Sequence, residues 1–257
     1  MKTMALMLLA LVCFAVEPLP TPVVDAPPLD ADHAVFAAVL ARCVRPDGVD
    51  YAALRAAPGD LDRYRAQLAA APLPTARPEV LALFINAYNA HTLALVLATL
   101  PADQGAWPAW SITQATRGDL NPWQAFDMAV AGRRYTLDAI EHQVLRPLGD
   151  PRVHMAVNCA SRSCPPLAAE PFRAATIDAQ LEAVARDFAN DPYHVRLAGA
   201  VVTVNPILDW FAADFASGGG VRAFLRARRA ADTPGLAGDG PLPTFVYDWR
   251  LNLAGTP

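Results

Sequence analysis

The sequence predicts an α+β domain, and three observations carry that reading. Apolar residues recur at spacings of three and four over residues 79–100 and 137–145. Two other runs, 153–157 and 245–251, alternate with a period of two. The helical and extended runs do not alternate regularly enough for a doubly wound sheet. The expected architecture is one domain over residues 31–254, a central sheet packed by several helices.

Composition agrees with a packed interior. Of 257 residues, 54% are hydrophobic and 18% charged, and five tryptophans and ten phenylalanines supply bulk for a core. With 21 basic against 25 acidic residues the formal charge is -4, so no positive field gathers nucleic acid.

At the amino end, Lys2 precedes an apolar run over residues 4–16 that is too short to cross a bilayer and stops at Glu17 and Pro18. Residues 1–16 therefore read as a signal peptide, with export to a periplasm or the medium expected. Val12 stands where lipoprotein signals take a small residue, so soluble export is preferred to anchoring through Cys13, and no membrane span is expected in the mature chain. Residues 17–30 hold five prolines and form a tether.

Asp32 is placed to cap a helix carrying Val35, Phe36, Val39 and Leu40, and a short helix follows over residues 60–68. In the run 79–100, Leu81, Phe84, Ile85, Tyr88 and Leu95 form one stripe, and Pro101 ends it. Asn86 and Asn89 share a face beside that stripe, where amides must find hydrogen bonds, either in tying down loops or in touching a substrate. Residues 107–128, with Trp107, Trp110 and Trp123 among proline, glycine and asparagine, read as a long loop over the core.

Thr136 caps a second clear helix with Leu137, Ile140, Val144 and Leu145 inward, and Glu141 falls within that stripe, where a carboxylate requires a partner. Val153, Met155 and Val157 alternate with His154, Ala156 and Asn158 as a strand, which runs into the polar loop 159–166. A helix over 177–188, a hairpin around Gly199, a helix opened by Asn205 and Pro206, a basic helix reaching Arg229, and a last strand with Phe245, Tyr247, Trp249 and Leu251 on one face complete the chain.

Six motifs carry a family resemblance: Val49-Asp-Tyr-Ala-Ala-Leu54, Phe84-Ile-Asn-Ala-Tyr-Asn-Ala90, Leu137 through Ile140-Glu-His142, residues 152–167 with Asn158-Cys-Ala-Ser-Arg-Ser-Cys164 inside them, Trp210-Phe-Ala-Ala-Asp-Phe215, and Tyr247-Asp-Trp249. Together they resemble the Domain of Unknown Function 547 family from about Val49 onward. Phe84 stands where that family carries tryptophan. The resemblance implies no reaction.

The chemistry is sought in the polar loop. Export would leave Cys43, Cys159 and Cys164 in an oxidising compartment, an odd number that suggests one disulfide and one free thiol. In one reading Cys159 is a nucleophile, His154 its base and Glu141 the carboxylate orienting the imidazole, giving a thiol-dependent hydrolase or an acyl or peptidyl transferase. Asn86, Asn89, His142, Ser161 and Ser163 are then the candidate substrate contacts. A helix followed by a histidine-bearing strand is also distantly similar to the papain and transglutaminase layout, which puts a cysteine where this helix has asparagine.

In the alternative reading Cys159 and Cys164 form a disulfide, His154 is a satisfied inner histidine, and the domain binds a small molecule, peptide or glycan in a cleft lined by Trp110, Trp123 and Asn89. A metal set of His142, His154 and a cysteine or carboxylate lacks the usual short ligand spacing, so no cofactor is implied. Asp209, Asp214 and Asp248 are open between capping, pairing and membership of the site.

Overall fold

The computed structural model describes residues 16–229, 233–238 and 240–256; the expected signal peptide, Val16 apart, lies outside them. In chain order the elements are β1 (Glu17–Pro18), α1 (Ala34–Cys43), β2 (Val44–Arg45), β3 (Gly48–Val49), α2 (Tyr51–Ala56), α3 (Gly59–Ala70), α4 (Arg77–Thr99), α5 (Pro122–Ala125), β4 (Phe126–Val130), β5 (Arg133–Thr136), α6 (Leu137–Ala139), α7 (Ile177–Asn190), β6 (Val195–Ala198), β7 (Val201–Val204), α8 (Ile207–Trp210) and α9 (Gly220–Arg226), with 3₁₀ turns between several of them. The mixed class is as expected. The sheets are smaller than expected: β1, β4 and β5 form one of three strands, and β2–β3 and β6–β7 are hairpins.

Helix α4 is the axis of the molecule. Pro78 in its first turn fits a position whose amide needs no intrahelical partner, and residues 81–96 are buried on every face. Among the described residues it is the one helix long and apolar enough to span a membrane, and 89% of its most apolar stretch is covered by the fold. Phe84 lies edge-on against Tyr135, with ring centres 5.3 Å apart, so the smaller ring still meets an aromatic partner.

Two apolar clusters form the interior. The larger surrounds α4 and takes in α1, α3, β4 and Val153; the smaller joins α7, the β6–β7 hairpin, Phe215 and Met155. Val153 and Met155 thus face different clusters, and His154 sits at their junction. Here a sequence expectation fails. Residues Pro151–Met155 are a 3₁₀ turn rather than a strand, because Asp150 accepts the Arg152 amide at its start and Pro151 fixes the first φ. The likeness to papain and transglutaminases rested on that strand and has no support in the fold.

Two other expectations shift. Asp30, not Asp32, accepts the Ala34 amide ahead of α1. The last strand is instead a series of single bridges, Val204 to Thr244, Ser111 to Arg250, Ser161 to Leu251 and Val49 to Leu253, because each partner is a different loop or strand end. Gly48, at φ 152°, makes room for this closing segment: a β-carbon there would meet the Asn252 carbonyl oxygen at 2.5 Å. Proline-rich residues 17–30 are laid on the domain through β1 and through Gln67, which donates to the Pro27 carbonyl at 2.9 Å.

Candidate functional site

A cavity of about 230 Å³ opens between α4, the segment after α6, the loop 157–164, α8 and the closing segment. Glu141, His142, His154, Cys159 and Cys164 all line it, together with Tyr88, Asp138, Trp123, Phe211 and Trp249 among others. The Thr136 side chain accepts the Ala139 amide, as expected of a cap, but the helix widens at once into a π-helical turn over Ile140–Leu145. Such turns are frequent at functional sites. Glu141 and His142 sit on this one.

The carboxylate bonded to His154 is not the one the sequence assigned. His154 Nε2 lies 2.7 Å from Asp214 Oδ2, whereas Glu141 Oε1 is 3.7 Å from Nδ1, beyond hydrogen-bonding range. Asp214 is itself gripped by Arg146, whose Nε and Nη2 reach its two oxygens at 2.7 and 2.9 Å. Phe211 stacks on the imidazole at 3.9 Å. His154 is almost wholly buried, yet its Nδ1 has no hydrogen-bond partner. The sequence left Asp214 open between capping, pairing and membership of the site, because it lies 60 residues from His154; the signal was its place in the Trp210–Phe215 motif.

Arg146, and after it His154, hold the Asp214 carboxyl down at about 2 against a starting value of 3.8. A depressed carboxyl stabilises the fold above its unfolded value and loses that contribution as pH falls toward the folded one. Between pH 4 and pH 2 the native chain is therefore expected to lose on the order of 1 kcal/mol more than Asp214→Asn, after allowance for solvent screening. Urea unfolding at several acidic pH values checks this; equal losses in both proteins contradict it.

Cys159 and Cys164, paired in the disulfide reading, are free thiols with sulfurs 2.9 Å apart. Ala160 follows in the left-handed region at φ 61°, a strained conformation for a side-chain-bearing residue, and makes the sharp turn that sets Cys159 on the cavity wall. Ser161 donates to the Tyr247 hydroxyl at 2.9 Å, and the Cys159 sulfur lies 3.1 Å from Ser161 Oγ and 3.4 Å from Tyr247 Oη. The Cys164 thiol, followed by these two hydroxyls, holds the Cys159 thiol below its ordinary value despite burial. Burial together with the neighbouring Cys159 pushes Cys164 well up. Burial, with a smaller contribution from Asp50, pushes Cys43, on α1, up to about 11. No hydrogen bond joins His154 to Cys159 among the described residues.

The remaining sequence candidates stand behind the cavity. Asn86 is spent on the Phe172 carbonyl and amide, at 2.7 and 2.9 Å. Asn89 donates to the Ala156 carbonyl at 2.9 Å and accepts the Asn158 amide at 2.8 Å. Both tie loops rather than face the cavity. Ser163 accepts the Asp248 amide and meets Tyr193, away from the cavity, and Trp110 is buried beside Leu251. Among the described residues no three histidine, cysteine or acidic side chains are grouped to hold a metal ion.

The fold and site define a mixed helix-and-sheet domain with a cysteine on an aromatic-lined cavity. Residues 73–189 match the model of the family described as "Protein of unknown function, DUF547", and the chain carries a DUF547 domain over that span. The span holds Glu141, His154 and both cavity cysteines, while Trp210, Tyr247 and Trp249 complete the cavity from beyond it and Asp214, also beyond it, bonds His154. No curated protein and no solved structure matches the chain.

Proposed function

We propose that this is an exported thiol-dependent enzyme that transfers acyl groups, to water or to an amine, through Cys159. The observation that carries the reading is the Cys159 sulfur, set on the cavity wall by a strained turn and surrounded by the Cys164 sulfur and the Ser161 and Tyr247 hydroxyls, with His154 on the same cavity. Burial keeps the Tyr247 hydroxyl protonated well above the usual tyrosine range, so it donates to the sulfur and does not compete for charge. A thiolate held by such donors is the nucleophilic form of cysteine.

In the reaction the thiol proton passes to the free Nδ1 of His154 as the sulfur attacks an acyl carbon. The bond to the leaving group breaks, and that group takes the proton from His154. Water or an amine then attacks the thioester, releasing the acyl product and restoring the thiol. Asp214 fixes the imidazole through Nε2, which leaves Nδ1 free to act as the base. Export rests on Lys2 and the apolar run that follows it.

Intact-mass analysis after exposure to an activated acyl ester tests the reading. One acyl group on Cys159 as a thioester is expected, and none on Cys159→Ser. Acylation elsewhere, or none, overturns the proposal.

A further inference from the structure

We propose that the cavity receives its substrate through an organic ammonium group, held between the Glu141 carboxylate and a wall of aromatic rings. This deepens the acyl-transfer reading by naming a substrate class for the same cavity, and rests on that reading for the place of the acyl carbon.

Glu141 is nine-tenths buried and lines the cavity, yet its contacts are long: 3.4 Å from Oε2 to the Tyr88 hydroxyl and 3.7 Å from Oε1 to His154 Nδ1. Charged oxygens with adequate partners sit at 2.5–2.9 Å, so this carboxylate has capacity left, and burial makes unused capacity costly. Asp138 lines the cavity as well, one turn earlier; it meets His142 at 3.9 Å and Gln124 at 3.5 Å. The nearby guanidinium of Arg146 is spent on Asp214 and His142. The cavity thus carries uncompensated negative charge, which disfavours an anionic ligand.

On the same cavity as the carboxylates, Trp249 stacks on Trp210 with ring centres 5.8 Å apart and meets Trp123 and Tyr247 at 5.7 and 4.4 Å. Trp210 remains half-exposed, so a large apolar ring stands at the mouth of the cavity. Ring faces bearing negative potential beside an under-satisfied carboxylate are the pattern that binds alkylated ammonium ions. A neutral sugar would stack on the same rings but would leave Glu141 without its counter-charge.

Tryptophan-fluorescence titration of the full chain with choline and with its neutral isostere 3,3-dimethyl-1-butanol tests the assignment. Choline is expected to bind at least about tenfold more tightly, and Glu141→Gln to bring it down to the affinity of the alcohol. Trp210→Ala, at a half-exposed position, should weaken choline by about tenfold while the unfolding midpoint moves little. Cys159→Ala should keep choline binding while losing the thioester, so the two readings fail separately. Equal affinity for alcohol and choline, no saturable choline binding, or a preference surviving in Glu141→Gln overturns the proposal. So does saturable binding of a methyl glycoside in place of choline.

Discussion

Cys159→Ala is expected to reduce turnover of an activated acyl ester by on the order of 10⁴-fold, to the level of solution chemistry, while the unfolding midpoint barely moves. The fold should survive because the lost sulfur makes only polar contacts with Cys164, Ser161 and Tyr247, and the Ala160 turn is held independently. Its amide is accepted by Asn158 at 3.0 Å, and its carbonyl accepts the Asn252 amide at 3.0 Å. His154→Gln retains a donor for Asp214 but no base, and should cost about 10²-fold or more. The double variant should be no slower than Cys159→Ala alone, since base and nucleophile act as one unit. Rates of the three variants against the native chain check this. A double variant slower than the single by the full factor contradicts a shared step.

The second large effect lies away from the cavity. Asn89→Ala is expected to cost about 3 kcal/mol in urea unfolding, because it strands a buried carbonyl at Ala156 and a buried amide at Asn158. It should also slow alkylation of Cys159. Asn89 fixes Asn158, whose side chain in turn accepts the Ala160 amide and donates to the Pro165 carbonyl at 2.7 Å, so one amide positions both ends of the cysteine loop. Asn86→Ala loses two comparable bonds to Phe172 and should cost a similar amount, with Cys159 reactivity unchanged. If both variants alter the thiol alike, the loop-positioning role of Asn89 is wrong.

Periodicity made much of this molecule legible. Helix α4 with its stop at Pro101, the Thr136 cap, α7 and the β6–β7 hairpin follow from local signals that tertiary contacts reinforce. The failures share a cause: alternation of apolar and polar residues reports polarity, whereas the backbone obeys capping and partners. In residues 153–158 the polar positions are as buried as the apolar ones, since His154 and Asn158 are 2% and 3% exposed, so the alternation marks two facing clusters rather than two faces of a sheet. In 245–251 Tyr247 and Leu251 are buried and Val246 exposed, as the alternation implied, but its bridges go to single residues of separate loops, so among the described residues no strand runs alongside it to make a sheet. Glu141 and His154 stood out in the sequence because polar residues in apolar runs are costly, and Cys159 because it opens the polar loop that follows. Asp214, Tyr247 and Trp249 come from remote segments, and only the folded chain brings Asp214 to His154 and the two rings to the cavity.

The most direct test of the central claim is the rate of iodoacetamide labelling of Cys43, Cys159 and Cys164 in the purified protein, followed by mass spectrometry from pH 5.5 to pH 9. A lowered thiol keeps its thiolate as pH falls, so Cys159 should label rapidly already near pH 6.5, with Cys43 and Cys164 protected throughout. Tyr247→Phe, which removes one donor, should shift the Cys159 profile to higher pH. A Cys159 that labels only above pH 8, in step with a free thiol, or that is found bonded to Cys164, contradicts the account.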